Sequence, residues 1–133
     1  SAQLHGVVSI RDFALSPTTA GVSLHEQLRR AASPDELVER ARQMPHVLRD
    51  LLGRGLEANR VIAVYSSMLD TTLRRALTLT LAFQAHPELS VDAFTWLSLG
   101  SNGRREAVLS SDLDSAVAFD DATPADVLPA YRA

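Results

Sequence analysis

The sequence predicts an α+β, mostly helical fold: a helical bundle followed by the first strand-helix-strand of a truncated second unit. Three observations predict it. Apolar residues recur at spacings of 3 and 4 across most of residues 23–90, the period of a helix face. From residue 91 the pattern changes to two short, β-like apolar runs. Between those runs stands Gly100-Ser101-Asn102-Gly103, a turn with two glycines.

Residues 1–22 form an irregular lead-in. Gly6-Val7-Val8-Ser9-Ile10 is β-like, and Ser16-Pro17-Thr18-Thr19 with Gly21 reads as a loop. The chain does not begin with Met, and Ser1-Ala2 is consistent with a scar from tag removal. Ser23 is placed to N-cap a short helix, with Glu26 completing a capping box. Leu24, Leu28 and Ala31 or Ala32 supply its apolar side. Ser33-Pro34-Asp35-Glu36 is a stronger start, with a cap, a proline in the first turn and two acids at the positive end of the helix dipole. Leu37, Ala41, Met44, Leu48 and Leu51 then trace one helix face, which Pro45 kinks or splits and Gly53 and Gly55 stop. A long helix is expected over 57–85. Val61, Tyr65, Met68, Thr72, Ala76 and Thr80 form one stripe, and Leu69, Leu73, Leu77 and Leu81 an adjacent row. A face this broad needs partners on more than one side. His86-Pro87 ends it.

Residues 94–99, Phe-Thr-Trp-Leu-Ser-Leu, make the first strand. A short helix is expected over 104–109, broken by Ser110-Ser111-Asp112. The second strand is expected over 113–119, with Leu113, Ala116 or Val117, and Phe119 as core positions. A last helical turn falls near 125–131. The domain reading is therefore 1–22 lead-in, 23–90 helical region, and 91–133 the front of a second domain.

Composition excludes several classes of function. The chain has 133 residues, 46% hydrophobic and 22% charged, which suits one folded domain or a domain and part of another. It has no cysteine, so disulfide frameworks and thiolate zinc sites are out. Its net charge of −3 and 5% aromatic content argue against general nucleic-acid binding. No apolar run reaches the roughly 20 residues of a membrane-spanning helix. All 13 basic residues are arginine; without lysine the usual P-loop is excluded. His5, His25, His46 and His86 lack ligand spacing.

The chemistry concentrates in residues 100–114. A strand that ends in Gly100-Ser101 and opens a helix offers free backbone N–H groups to phosphate oxygens. The Ser101 hydroxyl adds a donor, Gly103 permits close approach, and Arg104 can pair with phosphate charge. Asp112 and Asp114, two apart on a strand, would project to one face. Two such carboxylates repel unless a cation lies between them, and hard divalent ions accept a few carboxylates plus substrate phosphates. Phosphate cradle and metal carboxylates together equip a site for phosphoryl or nucleotidyl transfer.

Leu99-Gly100-Ser101-Asn102-Gly103-Arg104-Arg105-Glu106 and Ser111-Asp112-Leu113-Asp114 resemble the opening of a DNA polymerase β superfamily nucleotidyltransferase domain, closest to the protein-PII uridylyltransferase-like family. The preceding helices, Asp70 among them, resemble the helical region that introduces this domain in bacterial proteins carrying CBS modules. Gly6-Val7-Val8-Ser9-Ile10-Arg11-Asp12 resembles the end of a CBS module. The resemblance implies that Gly100, Ser101, Gly103 and Arg104 bind the nucleotide phosphates. It implies that Asp112 and Asp114 are catalytic and bind Mg²⁺ (or Mn²⁺). Glu106 has either a structural or a chemical role. The superfamily also uses a third carboxylate on a later strand, and Asp120, Asp121 and Asp126 follow the second strand too closely to supply it. The chain is therefore expected to be a fragment, inactive or nearly so alone.

The implied function is transfer of a nucleoside monophosphate from UTP or ATP to an acceptor hydroxyl in cytoplasmic signalling. A PII-like regulator is a candidate acceptor. The alternative is a non-enzymatic regulatory module that senses nucleotide or binds a protein.

Overall fold

The computed structural model describes residues 19–83 and 90–131. Its order is α1 (Thr19–Arg30), α2 (Pro34–Ala41), α3 (Met44–Gly53), α4 (Ala58–Phe83), a 3-10 turn (Val91–Ala93), β1 (Phe94–Ser98), α5 (Gly100–Gly103), β2 (Ser115–Phe119) and a closing 3-10 turn (Leu128–Tyr131). The fold is α+β and mostly helical, as expected. The β-like run at Gly6, the CBS-like segment, His5 and the His86-Pro87 stop lie outside the described residues.

The helix starts follow local chemistry where side chains can satisfy backbone donors. Ser33 Oγ accepts from the Glu36 amide at 3.2 Å, and the Glu36 carboxylate accepts from the Ala32 amide at 2.7 Å. Pro34 then fits the first turn, where no amide is needed. Pro45 splits the predicted face into α2 and α3, because it too sits in a first turn. Gly55, at φ +86°, carries the chain out of α3 in a conformation that costs glycine little. Ser23 does not cap α1: the helix starts at Thr19, and Ser23 lies inside it, where its hydroxyl accepts from Gln27.

α4 is the axis of the packing, with α1, α2 and α3 laid against it. Leu24, Leu28, Ala31, Leu37, Met44, Met68 and Leu79 form the main core, and Leu48, Leu51 and Val61 a second cluster. Leu28 is fully buried, and burying such a side chain is worth roughly 2 kcal/mol. The stripe on α4 holds from Val61 to Ala76, then continues to Leu79; Thr80 is exposed. Arg75 donates to the Ala31 carbonyl at 2.7 Å, closing the C-terminal end of α1. His25 and the Thr71 hydroxyl share a 2.8 Å hydrogen bond between α1 and α4. Among the described residues, no helix is long and apolar enough to cross a membrane.

β1 and β2 pair antiparallel, with Phe94 opposite Phe119, Trp96 opposite Val117 and Ser98 opposite Ser115. Phe94, Phe119 and Tyr131 stack edge-wise, with ring centroids 5.1–5.9 Å apart. The Ser90 amide donates to the Tyr131 hydroxyl at 3.1 Å, tying the closing turn to the start of the sheet. The second strand is shorter than expected and begins at Ser115. Leu113, Ala116 and Val117 are exposed rather than core; only Phe119 is half-buried.

Candidate functional site

Residues 99–114 form a hairpin-like loop that returns from β1 to β2. The strand ladder continues past its last assigned pair: the Leu99 amide donates to the Asp114 carbonyl at 2.8 Å. Leu99 and Asp114 are therefore opposite one another, on the face that also carries Leu97 and Ala116. Phe94, Trp96 and Ser98 project to the other face, toward α4.

Gly100 follows at once with φ +56°, turning the chain into the single helical turn α5. Its missing side chain matters. A Cβ there would meet the Asp114 Oδ2 at 2.5 Å, so the Asp114 carboxylate lies directly against the Gly100 backbone. Gly103 is equally constrained: a Cβ would run into the Ser98 carbonyl oxygen, a backbone atom that cannot step aside. Gly103 is the first residue of the turn whose amide bonds back, to the Leu99 carbonyl at 2.9 Å. The amides of Gly100, Ser101 and Asn102 precede it, at the open end of the turn. Close packing on both glycines thus brings the turn and the second carboxylate together.

The expected helix over 104–109 does not form. Arg105 takes φ +59°, and its amide donates to the Asn102 carbonyl at 3.0 Å. That left-handed residue ends α5 after one turn. The Glu106 amide then donates to the Ser101 carbonyl at 2.9 Å, and Ala107 is buried. Arg104 does not stand alone: its Nε donates to the Glu106 carboxylate at 2.9 Å, both side chains being exposed. In this arrangement Glu106 pairs with Arg104 at the protein surface.

Asp112 is exposed and, like Asp114, precedes β2 rather than lying within it. No group of three or more His, Cys, Asp or Glu among the described residues could hold a metal ion. Of the two carboxylates, the structure sets that of Asp114 against the turn at Gly100. Asp120 accepts from the Ala122 amide at 2.8 Å, at the far end of β2. That is roughly 20 Å from Asp114 at about 3.3 Å per strand residue, so neither Asp120 nor its neighbours join the pair.

Three residues escaped the sequence reading. Arg105 reaches back to Asp70 on α4, with Nη2 and Oδ2 3.6 Å apart. Asn102 is buried, and its Oδ1 has no hydrogen-bond partner among the described residues. The same holds for the Trp96 Nε1. Asn102 stood within the Gly-Ser-Asn-Gly motif, but nothing in the sequence says which way it faces. A cleft of about 650 Å³ between α4 and β1 is lined by these residues; of the seven predicted site residues it touches only Gly103.

No curated protein and no solved structure matches the chain. A family model described as "Putative nucleotidyltransferase DUF294" matches residues 42–133. The match takes in α3, α4, both strands and the whole 100–114 loop, most of the chain, and the protein belongs to that family.

Proposed function

We propose that residues 91–133 are the front of a nucleotidyl-transfer domain introduced by the helical region 23–90. The observation that carries this is the Asp114 carboxylate packed on the left-handed Gly100, which sets a carboxylate beside a turn with open amides. The family match supports the same reading. The reaction moves a nucleoside monophosphate from UTP or ATP to an acceptor hydroxyl. The hydroxyl oxygen bonds the α-phosphorus, the bond from that phosphorus to the bridging oxygen breaks, the hydroxyl proton leaves to a base, and pyrophosphate departs.

Asp112 and Asp114 are the residues that would hold Mg²⁺ or Mn²⁺, which when bound offsets charge on the phosphate oxygens. Ser101 donates its hydroxyl, and Gly100 and Gly103 let the phosphates approach the backbone. Arg104 reaches them by exchanging the Glu106 carboxylate for phosphate oxygens. The finer reading is a protein-PII uridylyltransferase-like enzyme, associated with a CBS module, acting on a PII-like regulator in signalling. It rests on the Gly-Ser-x-Gly-Arg-x-Glu and Ser-Asp-x-Asp patterns.

The Arg104–Glu106 pair favours a second reading, since it engages the expected phosphate cation. In that reading the module binds nucleotide or a partner without turnover. Calorimetric titration of the full protein with non-hydrolysable UTP and ATP analogues tests the site. Binding that needs Mg²⁺ and falls at least tenfold in Asp114→Asn supports it. Binding indifferent to both refutes the metal role of Asp114.

A further inference from the structure

Arg105 stands where a helix commonly ends on glycine. At φ +59° it is the one non-glycine residue with positive φ among the described residues. Glycine would make the same backbone turn at less cost, so the arginine side chain calls for a separate reason. That side chain leaves the loop for α4, where its Nη2 lies 3.6 Å from the Asp70 Oδ2. Its neighbour Arg104 stays within the loop, on Glu106. Among the described residues, no other hydrogen bond or ion pair joins residues 90–131 to the helices. The cleft of about 650 Å³ opens between α4 and β1 at this point, and both Asp70 and Arg105 line it. The pair therefore ties the loop to the helical region beside a gap in the packing. The Arg105 side chain is 72% exposed and that of Asp70 36%, so the pair adds little to overall stability. Its consequence is local, in where the turn sits.

We propose that Asp70 is a positioning residue for the transfer site, holding the 100–106 turn on the helical region through Arg105. The turn held in this way carries Ser101 and packs Gly100 against the Asp114 carboxylate. As a statement about transfer this rests on the 100–114 loop being a nucleotide site; the tether itself does not.

Two readouts on the full protein keep those claims apart. The first is amide hydrogen exchange without ligand. The amides of Gly103, Arg105 and Glu106 each bond within the turn, whereas that of Leu99 belongs to the strand ladder. Asp70→Asn speeds exchange at the three turn amides by about two- to fivefold, the scale of an exposed ion pair, and leaves Leu99 unchanged. Asp70→Glu, which keeps the carboxylate, restores wild-type exchange. Turn amides unaffected by Asp70→Asn, or a rise shared equally by Leu99, overturn the proposal. The second readout is Mg²⁺-dependent binding of non-hydrolysable UTP and ATP analogues. Removing a negative charge near a polyphosphate would by charge alone tighten binding. Asp70→Asn instead weakens it about two- to fivefold, the same scale as its effect on exchange. Arg105→Gly, which keeps the left-handed backbone and removes the tether, weakens it to the same extent, and the double variant is no weaker than Arg105→Gly alone. Unchanged or tighter binding in Asp70→Asn, or losses that add in the double variant, overturn the proposal. A loss confined to Arg105→Gly makes Arg105 a direct phosphate contact and overturns it too. A wild-type protein that binds neither analogue refutes the transfer reading, and amide exchange then decides the tether by itself.

Discussion

Substituting Gly100 by alanine separates the backbone role of this glycine from its role beside Asp114. Two consequences follow from the geometry. The first is strain: at φ +56° a side chain costs about 1–2 kcal/mol relative to glycine. The second is contact: the new Cβ meets the Asp114 Oδ2 at 2.5 Å. That oxygen is the far end of a flexible side chain, so it can rotate away at little cost to stability. Its rotation removes the carboxylate from the turn. Gly55 is the control, because it has φ +86° and nothing within 4 Å of a Cβ. Gly55→Ala and Gly100→Ala should therefore lose similar stability, about 1–2 kcal/mol each, a fall of about 4–8 °C in melting temperature. Only Gly100→Ala should also lose Mg²⁺-dependent nucleotide binding, by about 10–100-fold, the scale of a metal ligand losing its orientation. Urea unfolding and calorimetry of both variants measure the two effects. Nucleotide binding unchanged in Gly100→Ala would refute the argument that Asp114 acts from its place against Gly100.

Gly103→Ala should destabilise more than Gly100→Ala, since its Cβ meets the Ser98 carbonyl and overpacking against backbone adds about 1–3 kcal/mol; urea unfolding ranks the two. Leu28→Ala should cost about 2–5 kcal/mol, because Leu28 is fully buried among α1, α2 and α4. Hydrogen bonding from Arg29 holds the Glu26 carboxyl down at about 2, against an ordinary 4.5. Its contribution to stability is therefore complete above pH 4.5 and lost as pH falls toward 2. Glu26→Gln should flatten the acid limb of the stability profile in that window, read by thermal melts at stepped pH.

The helical half was legible where side chains and backbone agree. Ser33-Pro34-Asp35-Glu36 announces a helix start, and the cap bonds are there. Ser23 misled because the same hydroxyl that caps a helix also bonds along one, and the chain upstream could already be helical. The segment 104–109 has fair helix propensity, but close packing of Gly103 on Ser98 and the left-handed Arg105 override it. The second strand was drawn too long and too buried. Its alternation is real, yet β2 has β1 as its one strand partner among the described residues, and most of its side chains remain exposed. In the candidate site, spacing singled out Gly100 and Asp114 but not their contact, which depends on the strand register. Asn102, Trp96 and Arg105 were illegible as a group because α4, some thirty residues upstream, pairs Asp70 with Arg105 and lines one cleft with all three.

The central claim is that the 100–114 loop works as a nucleotidyl-transfer site. The most direct measurement incubates the full protein with Mg²⁺, α-labelled UTP or ATP, and a lysate containing candidate acceptors, beside Asp112→Asn and Asp114→Asn. The account predicts label on an acceptor with wild type and none with either variant. Label transfer that persists in both variants would contradict it.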